Sequence, residues 1–121
     1  MYVMYCVTSR EVLKLVNGNR GKMMAQAGHA FLHSAWDAAD NFPDDLAAYK
    51  ASGSAKKITL VVDTIDELKT LYGAYKGVCG TTLVVDKGLT CFDGPTTTCL
   101  GIGPISEDKV DVNLSSLKVL L

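Results

Sequence analysis

Thr82-Leu83-Val84-Val85, then Asp86-Lys87-Gly88-Leu89-Thr90, then Thr97-Thr98-Cys99-Leu100-Gly101-Ile102: this stretch decides the fold. Its two β-branched, apolar runs read as strands, and the segment holding Asp86 and Gly88 turns out of the first of them. Nothing between the runs has the periodicity of a helix. Parallel strands need a long, usually helical crossover, so this direct step predicts one antiparallel pair. The second run is expected to break at Gly103-Pro104.

Outward from that pair, strands alternate with helices. Residues 2–8 read as a buried strand, and Asn17-Gly18-Asn19-Arg20-Gly21 as a loop. A long helix follows from about Lys22 to Ala39, with Met24, Ala27, Gly28, Phe31, Ala35 and Ala38 as its apolar face. Pro43 followed by Asp44 and Asp45 suits the first turn of a short second helix, closed by Gly53. Ile58-Thr59-Leu60-Val61-Val62 is the next strand, and Thr64-Ile65-Asp66-Glu67 is a capping box that starts a helix ending near Gly77. After the strand pair come a short helix over about Ser106 to Val112 and an apolar tail, Leu117-Lys118-Val119-Leu120-Leu121. The order predicts an α/β domain over residues 1–121: a four-stranded mixed β-sheet in a three-layer arrangement, with helices on both faces.

The bulk numbers suit a single globular domain. The chain has 121 residues, 48% hydrophobic and 21% charged, with a net charge of −1. Nucleic-acid proteins usually carry a basic excess, so any RNA contact must come from local clustering of lysine and arginine. No run reaches the roughly 20 apolar residues that cross a bilayer, and the amino terminus lacks the features of a secretory signal. Cys6, Cys79, Cys91 and Cys99 are scattered without metal-site spacing, which predicts reduced thiols and a cytoplasmic protein.

Two places can carry chemistry. Lys22, Gln26, His29 and His33 stand at i, i+4, i+7 and i+11, on one stripe of the long helix, whose amino terminus offers free N–H groups to an anion. Periodicity by itself fits a solvated polar face better. At the end of the third strand, Asp86 followed by Gly88 and Thr90 could hold and polarise a water, though Asp and Gly also suit any turn. Gly101-Ile102-Gly103-Pro104 is no dinucleotide fingerprint. His29 and His33 lack the intervening glutamate and the third ligand of a zinc site, so no metal is expected.

Three blocks in register add a resemblance. Gly21-Lys22-Met23-Met24-Ala25-Gln26-Ala27-Gly28-His29-Ala30 resembles the G-K-x-A-A-Q-x-x-H-A signature of the type II, archaeal and eukaryotic, peptidyl-tRNA hydrolases. Val84-Val85-Asp86-Lys87-Gly88-Leu89-Thr90 is similar to that family's V-x-D-A-G-x-T block. Thr96-Thr97-Thr98-Cys99-Leu100-Gly101-Ile102-Gly103-Pro104 is similar to its T-x-T-x-L-x-I-G-P strand, and Leu117 to Leu121 to its closing L-K-L-L. The resemblance spans nearly the whole chain.

It implies hydrolysis of the ester joining a peptide to the 3′ ribose of tRNA, with peptidyl-tRNA as partner and no cofactor. It places the family's functional lysine on Lys22, glutamine on Gln26, histidine on His29, acid on Asp86, and hydroxyls on Thr90 and Thr98. Lys22, Asp86 and Thr90 then form the catalytic group. The substrate grip falls on Gln26, His29, Thr98, Lys14 and Arg20, with Lys87 as a further cation. The segment Thr8-Ser9-Arg10-Glu11-Val12-Leu13-Lys14 departs from the family pattern as a lengthened loop, and Gly28, Lys87 and Gly94-Pro95 also differ. That departure keeps open a non-catalytic RNA-binding adaptor with the same fold. Apolar Met, Tyr and Leu side chains at the surface could pack a homodimer.

Overall fold

The computed structural model describes residues 1–88 and 92–121, so Thr90 lies outside the described residues. In chain order the elements are β1 (Tyr2–Ser9), α1 (Arg10–Val16), α2 (Arg20–Asn41), α3 (Pro43–Ser52), β2 (Lys57–Val62), α4 (Ile65–Tyr75), β3 (Thr81–Asp86) and β4 (Thr96–Ser106). A 3-10 turn (Glu107–Lys109), α5 (Val112–Ser115) and β5 (Lys118–Val119) complete the chain. The sheet order is β3-β4-β1-β2-β5. β1 and β2 pair in parallel, and the other three pairs are antiparallel, including β3 with β4.

The expected mixed α/β sheet is therefore present, with five strands instead of four. The apolar tail supplies the fifth: Val119 pairs with Leu60, and the Leu120 N–H donates to the Thr59 carbonyl at 3.0 Å. This covers the edge that β2 would otherwise leave open. β4 does not break at Gly103-Pro104 but runs on to Ser106. Val3 pairs with Ile105 and Tyr5 with Ile102, so Gly103 and Pro104 together oppose Met4 alone. The irregular dipeptide is absorbed as a bulge, which also accommodates a proline without an N–H.

Three further expectations change. The segment after β1 is a helix, not a loop: the Ser9 hydroxyl accepts from the Val12 N–H, and Val12 and Val16 are buried one turn apart. The helix expected over Ser106 to Val112 is two short turns, because Ser106 and Asp111 each cap a start of their own. On α2 the buried positions are Gln26, Ala30, Ser34 and Ala38, while Met24 and Gly28 of the expected apolar face are exposed. Small side chains let α2 lie almost on β4, where a Cβ at Gly101 would stand 2.3 Å from the Ala30 carbonyl oxygen. The polar members of the buried stripe are satisfied there, Ser34 donating to the Gly103 carbonyl at 2.6 Å.

Alternate residues of β1 enter different clusters, as strand geometry requires. Val3, Tyr5 and Val7 pack with Leu68, Leu71 and Tyr75 of α4. Cys6 packs with Cys99, Val84 and Ala30, joined by Met23, Ala27 and Phe31 of α2. Fully buried side chains such as Leu68, Leu100 and Ile105 each contribute about 1.5–3 kcal/mol relative to exposure. Among the described residues, no helix is long and apolar enough to cross a membrane.

Candidate active site

α2 begins where Asn19 caps it, its side-chain oxygen accepting from the Lys22 N–H at 3.0 Å. That fixes the first turn and aims the stripe Lys22, Gln26, His29 and His33 along one side of the helix. β3 runs past the same side and ends on Asp86. Between them lies a cavity of about 550 Å³, lined by those four helix residues on one wall. Leu83, Val84, Val85, Asp86 and Lys87 form the other wall.

At its floor the polar groups form a continuous chain. Lys22 Nζ donates to Asp86 Oδ2 at 2.6 Å, and Gln26 Nε2 approaches the same oxygen at 3.4 Å. The other carboxylate oxygen accepts from the Gly88 N–H at 2.8 Å. Gly88 has φ +82, and a Cβ there would meet the Gly94 backbone at 2.5 Å, so the turn that presents this N–H needs glycine. The Thr98 hydroxyl donates to Gln26 Oε1 at 2.6 Å, which turns the amide so that its NH2 faces the carboxylate. The Thr8 hydroxyl in turn donates to the Thr98 carbonyl at 2.9 Å.

These donors have an electrostatic consequence. The Lys22 hydrogen bond, then the Gly88 N–H, hold the Asp86 carboxyl below its usual range, against the smaller opposing effect of burial. Asp86 is thus ionised at neutral pH and a weak base. Such a carboxylate orients a water better than it deprotonates one. Lys22 also lies over the Phe92 ring, 5.6 Å from its centre, and Phe92 packs against Val12, Val16 and Met23. α1 therefore supports the lysine from below.

The structure brings Lys22, Gln26, His29, Asp86 and Lys87 together around one cavity, with Thr98 buried behind Gln26 and hydrogen-bonded to its amide. Lys14 sits exposed on α1 and is not in its lining. Arg20 lines a different hollow with Met24, Cys6 and Leu120, on another side of α2. Phe92, Thr8 and the ring stack His29–His33–Trp36, with centroids 5.5 and 5.1 Å apart, were missed. For Thr8 the signal was there, a hydroxyl in an otherwise apolar strand; for Phe92 no local pattern exists. Among the described residues no three His, Cys, Asp or Glu side chains gather as metal ligands.

Residues 2–120 match the family described as peptidyl-tRNA hydrolase PTH2. A peptidyl-tRNA hydrolase of Methanothermobacter thermautotrophicus is 37% identical over 102 residues, covering 84% of this chain and 88% of that protein. One from Thermococcus onnurineus is 33% identical over 112 residues, 92% of each chain. One from Metallosphaera sedula is 31% identical over 107 residues, covering 87% of this chain and 92% of its own.

Proposed function

This chain belongs to the peptidyl-tRNA hydrolase PTH2 family, and from that premise we propose that it cleaves the ester between peptide and tRNA at the Lys22–Asp86 cavity, returning free tRNA. The observation that carries the site is the 2.6 Å contact between Lys22 Nζ and Asp86 Oδ2 on the cavity wall. Asp86 holds the attacking water, directly or through Thr90. The water oxygen bonds to the ester carbonyl carbon, and Lys22 carries positive charge toward the oxyanion that forms. The carbon–oxygen bond to the 3′ ribose then breaks, one of the water's two protons passes to the ribose oxygen and the other to solvent, and the peptide leaves as a carboxylate. Gln26, positioned by Thr98, keeps the carboxylate aligned, and His29 lines the path of the substrate.

The reading takes residues 1–121 as one three-layered domain, since α4 and α2 pack against alternate residues of β1. It places the activity in the cytoplasm, in keeping with the free buried thiols of Cys6, Cys79 and Cys99. Exposed Met24, Leu32 and Trp36 supply apolar surface for a homodimer, which sedimentation decides. Lys14 and Arg20 serve the tRNA body rather than the ester.

The test is hydrolysis of N-blocked aminoacyl-tRNA. Release of the acyl group, abolished by Lys22→Ala, is the expected result. Binding without release identifies the adaptor instead.

A further inference from the structure

The cavity has a second feature that the ester chemistry does not use. Leu83 packs into the cluster around α4, and Val84 into the cluster around α2, so their side chains point in opposite directions. Both nevertheless line the same cavity. A space can touch two such neighbours only where it reaches the edge of the strand. The cavity is thus a groove whose wall is the backbone rim of β3.

That rim is open. β3 stands at the end of the sheet order, with β4 its neighbour on one side. The Val84 carbonyl is directed toward β4, 3.4 Å from the Thr98 hydroxyl. The Thr81 N–H is directed the other way and donates to Asp37 Oδ2 of α2 at 3.0 Å. Main-chain groups alternate along a strand, so those of Leu83 and Val85 face the groove with Thr81. Val85 is 55% exposed. Asp86 meets Lys22 at one end and Thr81 meets Asp37 at the other, so α2 runs antiparallel to β3 and bounds the groove along its length.

We propose that the peptide part of the substrate binds in this groove as an added strand, parallel to β3, through the main-chain groups of Leu83 and Val85. This rests on the hydrolase reading above. The direction follows from the chemistry. The ester is at the carboxyl end of the peptide and must lie at Asp86, so the peptide's amino end runs back toward Thr81. From Leu83 to Asp86 the strand rises roughly 10 Å, room for about three peptide residues. Main-chain pairing recognises a strand whatever its side chains, which is what an enzyme acting on peptides of any sequence requires. The second wall, His29 and His33, meets whichever side chains alternate inward.

The experiment uses the full chain and tRNA bearing an acetylated amino acid or acetylated di-, tri- and tetrapeptides, with kcat/KM as the readout. It should rise by roughly two- to tenfold for each main-chain hydrogen bond gained and level off after about three residues. N-methylation at each peptide amide in turn should remove one such step at one position. Val85→Pro deletes an outward N–H at an exposed edge position, where proline is tolerated, and should flatten the length dependence. If that variant does not fold, the N-methylated substrates decide alone. Release that ignores both peptide length and N-methylation overturns the strand. Failure to release even the single acetylated amino acid overturns the hydrolase reading itself, and the groove with it.

Discussion

Lys22 Nζ lies 2.6 Å from Asp86 Oδ2, a contact between residues 64 positions apart whose side chains are only 15% and 12% exposed. At that depth water screens the pair poorly, so the lysine charge acts strongly on the carboxylate. The lysine holds the carboxylate ionised, and the carboxylate holds the ammonium in the lining of the cavity. Neither residue can be changed without altering the surroundings of its partner.

Asp86→Asn keeps the shape and removes the charge. Turnover of peptidyl-tRNA should fall by about 100-fold or more, with little change in far-ultraviolet circular dichroism. Steady-state kinetics on the purified variant measures it; a fully active variant would remove Asp86 from the mechanism.

The pH dependence follows from the depressed Asp86 carboxyl. Its ionised form is favoured in the folded protein, so the stability it contributes is complete above the ordinary aspartate value of 3.8 and is lost as pH falls through the lowered one. An acid limb of kcat that reports Asp86 should accordingly lie below that value. In Lys22→Met the Asp86 carboxyl, followed by NMR titration, should move upward from its lowered position; an unmoved titration would assign the lowering to another group.

Thr98→Val removes the donor that orients Gln26. Thr98 is fully buried, and leaving Gln26 Oε1 unsatisfied should cost about 1–3 kcal/mol in urea denaturation. The amide is then no longer locked in one orientation against Asp86, so kcat should drop several-fold with KM little changed. Unchanged kcat would reduce Thr98 to a core hydroxyl.

Gly101→Ala should destabilise the fold by about 3 kcal/mol or more, because the new Cβ would stand 2.3 Å from the Ala30 carbonyl oxygen. A second change, Ala30→Gly, should not rescue it, since the atom in the way belongs to the main chain. Thermal denaturation of the single and double variants compares them directly.

Tight binding of tRNA is not expected from a chain with net charge −1, and KM should rise steeply with salt. Lys87 lines the cavity; Lys87→Ala should raise KM and lower the slope of log KM against log salt by about one. An unaltered slope would place Lys87 away from any phosphate.

Much of the fold could be read locally. The step from β3 to β4 without a helix foretold their antiparallel pairing, and Pro43, Thr64 and Gly53 marked helix ends through their own backbone chemistry. α1 escaped because its two turns offer only Val12 and Val16 as a pattern. β5 escaped because two residues have no period at all; pairing with β2 makes it a strand. The buried face of α2 was misplaced because hydrophobicity was the guide, whereas the residues facing the sheet are small or polar and satisfied, Ala30, Ser34 and Gln26.

By itself, the sequence determined that Lys22, Gln26, His29 and His33 share one side of a helix and that a strand ends on Asp86, since both follow from the repeat of a single element. Whether that side faced water or Asp86 was a different question, and tertiary structure alone decided it. The answer depends on how closely α2 approaches β4 at Gly101 and which way Thr98 turns the Gln26 amide. These are contacts between distant parts of the chain, and their geometry is set by packing that no local repeat encodes.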